Sequence, residues 1–183
     1  YYNNTYLFYR QGAHGVNVEP DPSLCAGLRR GRRRDVNLNM GIGPREAELV
    51  FYVMSRRTLN TFSAIEARKY VEQHGLRIVD TRRIRVQTFA QAVDTHLGRT
   101  PDLVSLDAEG LDLDILRSID FSRYRPHVFC VETISYAGDD GSGIKNPEIH
   151  SLMRENGYML YADTYINSIY VAESSWRTLG TKR

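Results

Sequence analysis

Three short apolar stretches of this chain end in acid. Gly15-Val16-Asn17-Val18 runs into Glu19-Pro20, Leu103-Val104-Ser105-Leu106 into Asp107-Ala108-Glu109-Gly110, and Val128-Phe129-Cys130-Val131 into Glu132. A carboxylate at such a strand end can bond ribose hydroxyls, remove a substrate proton or share a divalent cation with a second acid. An acid closing the second strand of a nucleotide-binding α/β fold bonds the ribose of the cofactor, which is the position Glu19 occupies. A glutamate before proline is equally at home as a solvated loop residue. Asp107 and Glu109 are the sharper pair. An apolar strand that discharges two carboxylates before a glycine and a helix has no evident packing purpose; the alternative is that Asp107 caps the helix or forms the turn. Glu132 reads either as a third functional acid or as a structural partner of an arginine.

Alternating strands and helices must position these acids. Helical stretches are expected at Asn4–Gln11, Ser23–Arg30, Ala64–His74, Phe89–His96, around Leu113, Leu116 and Ile119, and at Pro147–Asn156. Strands are expected at Gly15–Glu19, Asp35–Met40, Glu48–Ser55, Arg83–Thr88, Leu103–Asp107 and Pro126–Glu132. Asp35–Met40 runs into the glycine turn Gly41–Gly43, and Glu48–Ser55 is expected to pair with it as a hairpin. Tyr158–Ala162 and Ser168–Ala172 form a C-terminal antiparallel hairpin, and Ala137–Gly143 is a loop. This order predicts an α/β fold, a three-layer αβα sandwich around a mostly parallel sheet. Ligands of such sheets sit at the carboxyl ends of the strands, where the acids are.

The 183 residues, 42% hydrophobic and 25% charged, suffice for one domain with a substantial core, read as residues 1–183. A net charge of +2 argues against a dedicated nucleic-acid binder. Of the 24 basic residues 21 are arginine, a ratio that a GC-rich coding bias explains. The run Arg29, Arg30, Arg32, Arg33 and Arg34 is either a solvated helix end or a contact for an anionic partner. Cys25 and Cys130 offer no disulfide framework and no metal-ligand spacing, which suits a reducing cytoplasm. No apolar run approaches the ~20 residues of a membrane span.

The segments GVNVEPDP, DVNLNMGIG, LNTFS, LVSLDAEGLDLDILRSIDFSRYRPHVFCVE and GYMLYADTYINSIYVA resemble, in order and spacing, the FkbM family of S-adenosylmethionine-dependent methyltransferases. The resemblance runs from about Tyr6 to Val171, and the D-x-E-G block followed by RP and a strand ending in VE is its most specific part. It implies a Rossmann-like class I methyltransferase fold with a reversed last strand. It also implies methyl transfer from S-adenosylmethionine to a hydroxyl of a sugar or natural-product-like small molecule. By this resemblance Glu19, with Pro20, matches the ribose-binding acid, and the turn from Asn39 through Gly41 lies beside the adenine. Asp107 and Glu109 match the block beside the methyl group and acceptor, and Glu132 matches a third site acid. The family's first strand and its glycine-rich D-x-G-A loop would fall just ahead of Tyr1. The chain is therefore expected to be N-terminally truncated and to bind the cofactor weakly.

Methyl transfer is an in-line displacement, so positioning supplies much of the catalysis, and a base must take the proton of a poorly nucleophilic alcohol. Asp107 or Glu109 serves as that base, or both hold Mg²⁺; the base is the preferred reading, and no dedicated metal site is assigned. His127 and His150 are alternative bases or ordinary structural histidines. The loop from Ile134 to Asn146 is expected to set the acceptor. A degenerate, non-catalytic binding module and a NAD-dependent oxidoreductase are the competing functions, because Glu19 alone does not separate NAD from S-adenosylmethionine.

Overall fold

Short polar side chains start the helices of this chain. In the computed structural model, which describes residues 4–136 and 143–180, every helix of eight residues or more that begins after a loop has a side-chain cap. The chain divides into two compact units, Tyr1–Arg99 with Ala108–Ser118, and Thr100–Asp107 with Ile119–Arg183.

The first unit opens with α1 (Tyr6–Arg10), a five-residue helix that buries none of its side chains. β1 (Val16–Val18) follows, then α2 (Pro22–Gly31) and β2 (Val36–Leu38), which pairs in parallel with β1. Asp21 caps α2 by accepting the Ser23 and Leu24 N–H groups at 2.7 and 3.2 Å, and Pro22 sits at the first helical position where its missing donor costs nothing. β3 (Gly41–Ile42), β4 (Ala47–Met54) and β5 (Ile78–Gln87) make a second sheet in the order β3-β5-β4. The expected hairpin between β4 and the strand before it does not form. β3 pairs in parallel with one edge of β5, and β4 runs antiparallel along the other, from Ala47 opposite Val86 to Met54 opposite Ile78. β5 is also longer than Arg83–Thr88, because Ile78 to Arg83 are exposed and carry no apolar alternation for a sequence to show.

Between β4 and β5 lies α3 (Ala64–His74), capped by Ser63 and closed by Gly75 in the left-handed conformation at φ 61°. Ala67 and Tyr70 of α3 pack on Met54 of β4, with Tyr52, Leu59 and Leu76 around them. α4 (Phe89–His96) begins with a complete capping box between Thr88 and Gln91. The unit is completed by α5 (Asp112–Arg117), which buries Asp112, Ile115 and Leu116; Ile119, expected on its face, lies beyond its end.

The second unit is built on β6 (Leu103–Leu106) and β7 (Val128–Glu132), paired in parallel. β8 (Ile134–Tyr136) and β9 (Gly143–Lys145) form a two-stranded ladder where a loop was expected, and residues 137–142 of that loop lie outside the described residues. α6 (Pro147–Glu155) leads to β10 (Tyr158–Asp163) and β11 (Asn167–Ala172), the expected C-terminal hairpin. Its sheet runs β10-β11-β7-β6, with β11 antiparallel to β7. A helix not read in the sequence, α7 (Glu173–Gly180), follows. Phe121, Phe129 and Tyr158 form the unit's aromatic centre, with ring centroids 5.3 to 5.9 Å apart.

The architecture is thus mixed α/β. Among the described residues the strands form four hydrogen-bonded sheets, with three parallel pairings (β1–β2, β3–β5, β6–β7) and four antiparallel ones (β4–β5, β7–β11, β8–β9, β10–β11). The α/β class is as expected, and the described sheets are mixed. The long β4–β5 ribbon and the C-terminal hairpin outweigh the short parallel ladders.

Candidate active site

Three of the residues assigned to the cofactor meet at the exit of β1. Glu19 extends the β1–β2 ladder by donating its N–H to the Leu38 carbonyl at 3.0 Å. The Asn39 amide, one residue past β2, donates to the Glu19 and Pro20 carbonyls at 2.9 Å each. It thereby ties the two parallel strands together at their carboxyl ends. The Glu19 side chain is half-buried, and its Oε1 accepts the Asp21 N–H at 2.8 Å. A carboxylate oriented by a backbone donor at a strand end is suited to receive ribose hydroxyls. Gly41 has a different surrounding. It is buried, and a Cβ there would stand 2.7 Å from Phe62 Cζ and 2.9 Å from Val86 Cγ2, so close packing within the β3–β5 sheet demands glycine.

Beneath this edge sits Asp21, 1% exposed, which the acid count along the sequence passes over. Besides capping α2 it accepts from Arg57 Nη1 at 3.1 and 3.2 Å and from Asn60 Nδ2 at 3.0 Å, while Asn60 Oδ1 receives the Met54 N–H at 2.8 Å. One buried carboxylate therefore joins α2, β4 and the 3-10 turn Arg57–Leu59. The Asp21-Pro22-Ser23 pattern is a helix-start signal that could have marked Asp21.

Glu109 belongs to the same unit and is held at two points. Its backbone is left-handed, at φ 47°, a conformation that costs a non-glycine residue roughly 1–2 kcal/mol. The buried Thr61 hydroxyl donates to its carbonyl at 2.7 Å, and the buried Tyr70 hydroxyl donates to its Oε2 at 2.6 Å. Gly110 follows at φ 98°, and a Cβ there would come within 3.0 Å of Glu66 Cγ on α3. The turn is closed by Asp112, whose Oδ1 accepts the Ala108 N–H at 2.9 Å. Neither Thr61 nor Tyr70 was singled out from the sequence. Tyr70 reads there as one more apolar position on a helix.

In the second unit Asp107 is the residue beyond the Leu106–Val131 register pair, so it lies beside Glu132 on the adjacent strand. The two carboxylates bring oxygens within 4.8 Å of each other. Asp107 is exposed and has no hydrogen bond or ion pair among the described residues, which excludes the helix-cap alternative. Burial pushes the Cys130 thiol above its ordinary value, and the Asp107 charge adds to that rise. Glu132 is half-buried and lies across from Asn167 of β11. The next residue, Thr133, bonds Ser168 at 2.8 Å and Lys145 Nζ at 2.9 Å; Lys145 in turn bonds Asp163 Oδ1 at 2.8 Å. That lysine, with the Tyr165 N–H, holds Asp163 below the ordinary aspartate range. The site edge in this unit thus offers two hydrogen-bond acceptors beside a network already satisfied.

The histidines have structural surroundings. His127 Nδ1 lies 2.6 Å from Ser175 Oγ, and the exposed His150 lies against the Tyr170 ring. The arginine run is partly internal: Arg32 makes a buried ion pair with Asp35 at 2.6 Å, and Arg32 and Arg34 lie over the Tyr9 ring.

The Methyltransferase FkbM domain model matches residues 1–160. No curated protein and no solved structure matches the chain.

Proposed function

The chain belongs to the FkbM methyltransferase family, and from that premise we propose that it methylates a hydroxyl oxygen of a sugar or natural-product-like small molecule, on a Rossmann-like scaffold, with S-adenosylmethionine as the donor. The observation that carries this reading is the pair Asp107 and Glu132, at the carboxyl ends of neighbouring parallel strands with oxygens within 4.8 Å. Asp107, exposed and unpaired among the described residues, is the general base. As the acceptor oxygen bonds the methyl carbon, the hydroxyl proton passes to Asp107 and the carbon–sulfur electron pair stays on sulfur. Glu132 accepts a hydrogen bond from the same or a neighbouring hydroxyl and so aligns the acceptor.

The donor supplies a methyl group already activated on a sulfonium, so the protein's work is to bind, align and remove one proton. Glu19 fits the ribose of that donor, because its half-buried carboxylate is oriented by the Asp21 N–H and its strand is fixed by Asn39. A base with no metal suffices for this chemistry. The internal engagement of Arg32 and Arg34 supports a small acceptor over a nucleic acid. Cys25 and Cys130, buried and unbridged, suit a reducing cytoplasm. No helix among the described residues is long and apolar enough to cross a membrane.

The test is transfer of a radiolabelled methyl group from S-adenosylmethionine to a panel of monosaccharides, glycosides and polyols, with and without chelator. The expected result is an acceptor-dependent methyl ether, formed equally with chelator and lost in D107N. Label that reaches no hydroxyl, or transfer unchanged in D107N, sinks the reading.

A further inference from the structure

Glu109 is constrained more tightly than a carboxylate at an exposed turn requires, and the constraints come from one helix and the segment before it. Thr61 fixes its carbonyl at 2.7 Å, Tyr70 fixes its Oε2 at 2.6 Å, and Glu66 of the same helix abuts Gly110. Both hydroxyl-bearing residues are buried, at 1% and 3% exposure, whereas Glu109 itself is only half-buried. A buried phenol needs a partner. Here it takes an oxygen of the left-handed acid of the D-x-E-G turn rather than a backbone carbonyl. A carboxylate gripped at its own carbonyl and at one oxygen cannot rotate freely, so it presents a hydrogen-bond acceptor in a set direction.

We infer that Tyr70 is a positioning residue, holding Glu109 so that its carboxylate receives a second hydroxyl of a polyhydroxylated acceptor. This inference rests on the methyl-transfer reading above and assigns Glu109 to acceptor orientation, with proton removal left to Asp107. The acceptor class follows from the chemistry. A carboxylate fixed in direction recognises a hydroxyl donor besides the one that reacts, which a sugar ring or a vicinal diol supplies.

The decisive variant is Y70F, which keeps the ring and removes the donor. The acceptor KM is expected to rise about tenfold, while the KM for S-adenosylmethionine and kcat stay within about twofold. Loss of folded protein would instead lower kcat and leave both KM values alone. E109Q is expected to raise the acceptor KM likewise, and the Y70F/E109Q pair to be no worse than E109Q, because both break one contact. An unchanged acceptor KM in Y70F, or losses that multiply in the pair, overturns the inference. Should Y70F not fold, E109D draws the carboxylate back from the phenol and carries the same KM test. A second arm needs no turnover: a crystal structure of Y70F is expected to show the Glu109 carboxylate turned away from the position that the 2.6 Å phenol bond fixes in the wild type. A Glu109 carboxylate in the same place in both proteins overturns the Tyr70 assignment. Absence of methyl transfer by the wild-type chain overturns the underlying reading alone.

Discussion

Asp107 and Glu132 lie side by side at the ends of neighbouring strands, yet only Asp107 is exposed and unpartnered among the described residues. Replacing it is therefore a chemical change with little structural cost. D107N is expected to lower turnover by roughly 10²–10⁴, the usual contribution of a general base, with an unchanged melting temperature. Steady-state kinetics and thermal melts on the same preparation check both halves. In the proposed reaction Glu19 serves the methyl donor. E19A is expected to raise the KM for S-adenosylmethionine by roughly 10–100-fold, equivalent to about 1.5–3 kcal/mol for hydrogen bonds to a charged group, and to leave kcat at saturation unchanged. These acids were legible because each interrupts an apolar run. Asp21 and Tyr70 were not, because what distinguishes them is a partner 36 or 39 residues away. A carboxylate holding Arg57 and a phenol holding Glu109 look, within their own helices, like a cap and a core position.

Strands and helices with periodic patterns were read correctly, and those without them were not. The C-terminal hairpin and the strands carrying Glu19, Asp107 and Glu132 follow from apolar runs and their breaks. The outer half of β5 is exposed and arginine-rich, so nothing in its pattern says strand; it is one because β4 offers it an antiparallel ladder. Gly41 shows the same limit. Its role is set by Phe62 and Val86 closing on it, and G41A is expected to destabilise the protein by about 1–3 kcal/mol, the cost of overpacking, in urea titrations. The β9–β10 contact carries a pH dependence. Asp163 is held below its ordinary value chiefly by the Lys145 hydrogen bond, so the stability it contributes is present above the ordinary carboxylate range of about 4 and is lost as pH falls through its lowered value. Melting curves between pH 6 and 2 should show this acid loss in the wild type and a weaker one in K145M.

Across the molecule each unit has its own apolar core, around Met54, Ala67 and Tyr70 in the first and around Phe121, Phe129 and Tyr158 in the second. Tyr158, whose hydroxyl donates to the Pro126 carbonyl at 2.7 Å, has its ionisation pushed up to about 12 by burial, against the opposing charge of Arg125. A raised value means that its contribution is complete below the ordinary tyrosine value of about 10 and is lost as pH climbs from there to about 12. Spectrophotometric titration should find late-ionising tyrosine, because burial raises Tyr170 as well, and Y158F should diminish that late component without abolishing it. The chain passes between the two units three times, at residues 99–100, 107–108 and 118–119. On a ribosome that order matters. The first unit cannot receive its last helix until Ser118 has emerged, by which time Leu103–Leu106 is already outside with no strand to pair with. Its partner, Val128–Glu132, arrives some 20 residues later, about 1–4 s at ~5–20 residues per second. For that interval the apolar strand that ends in Asp107 waits without its partner, an exposed segment that a chaperone can hold.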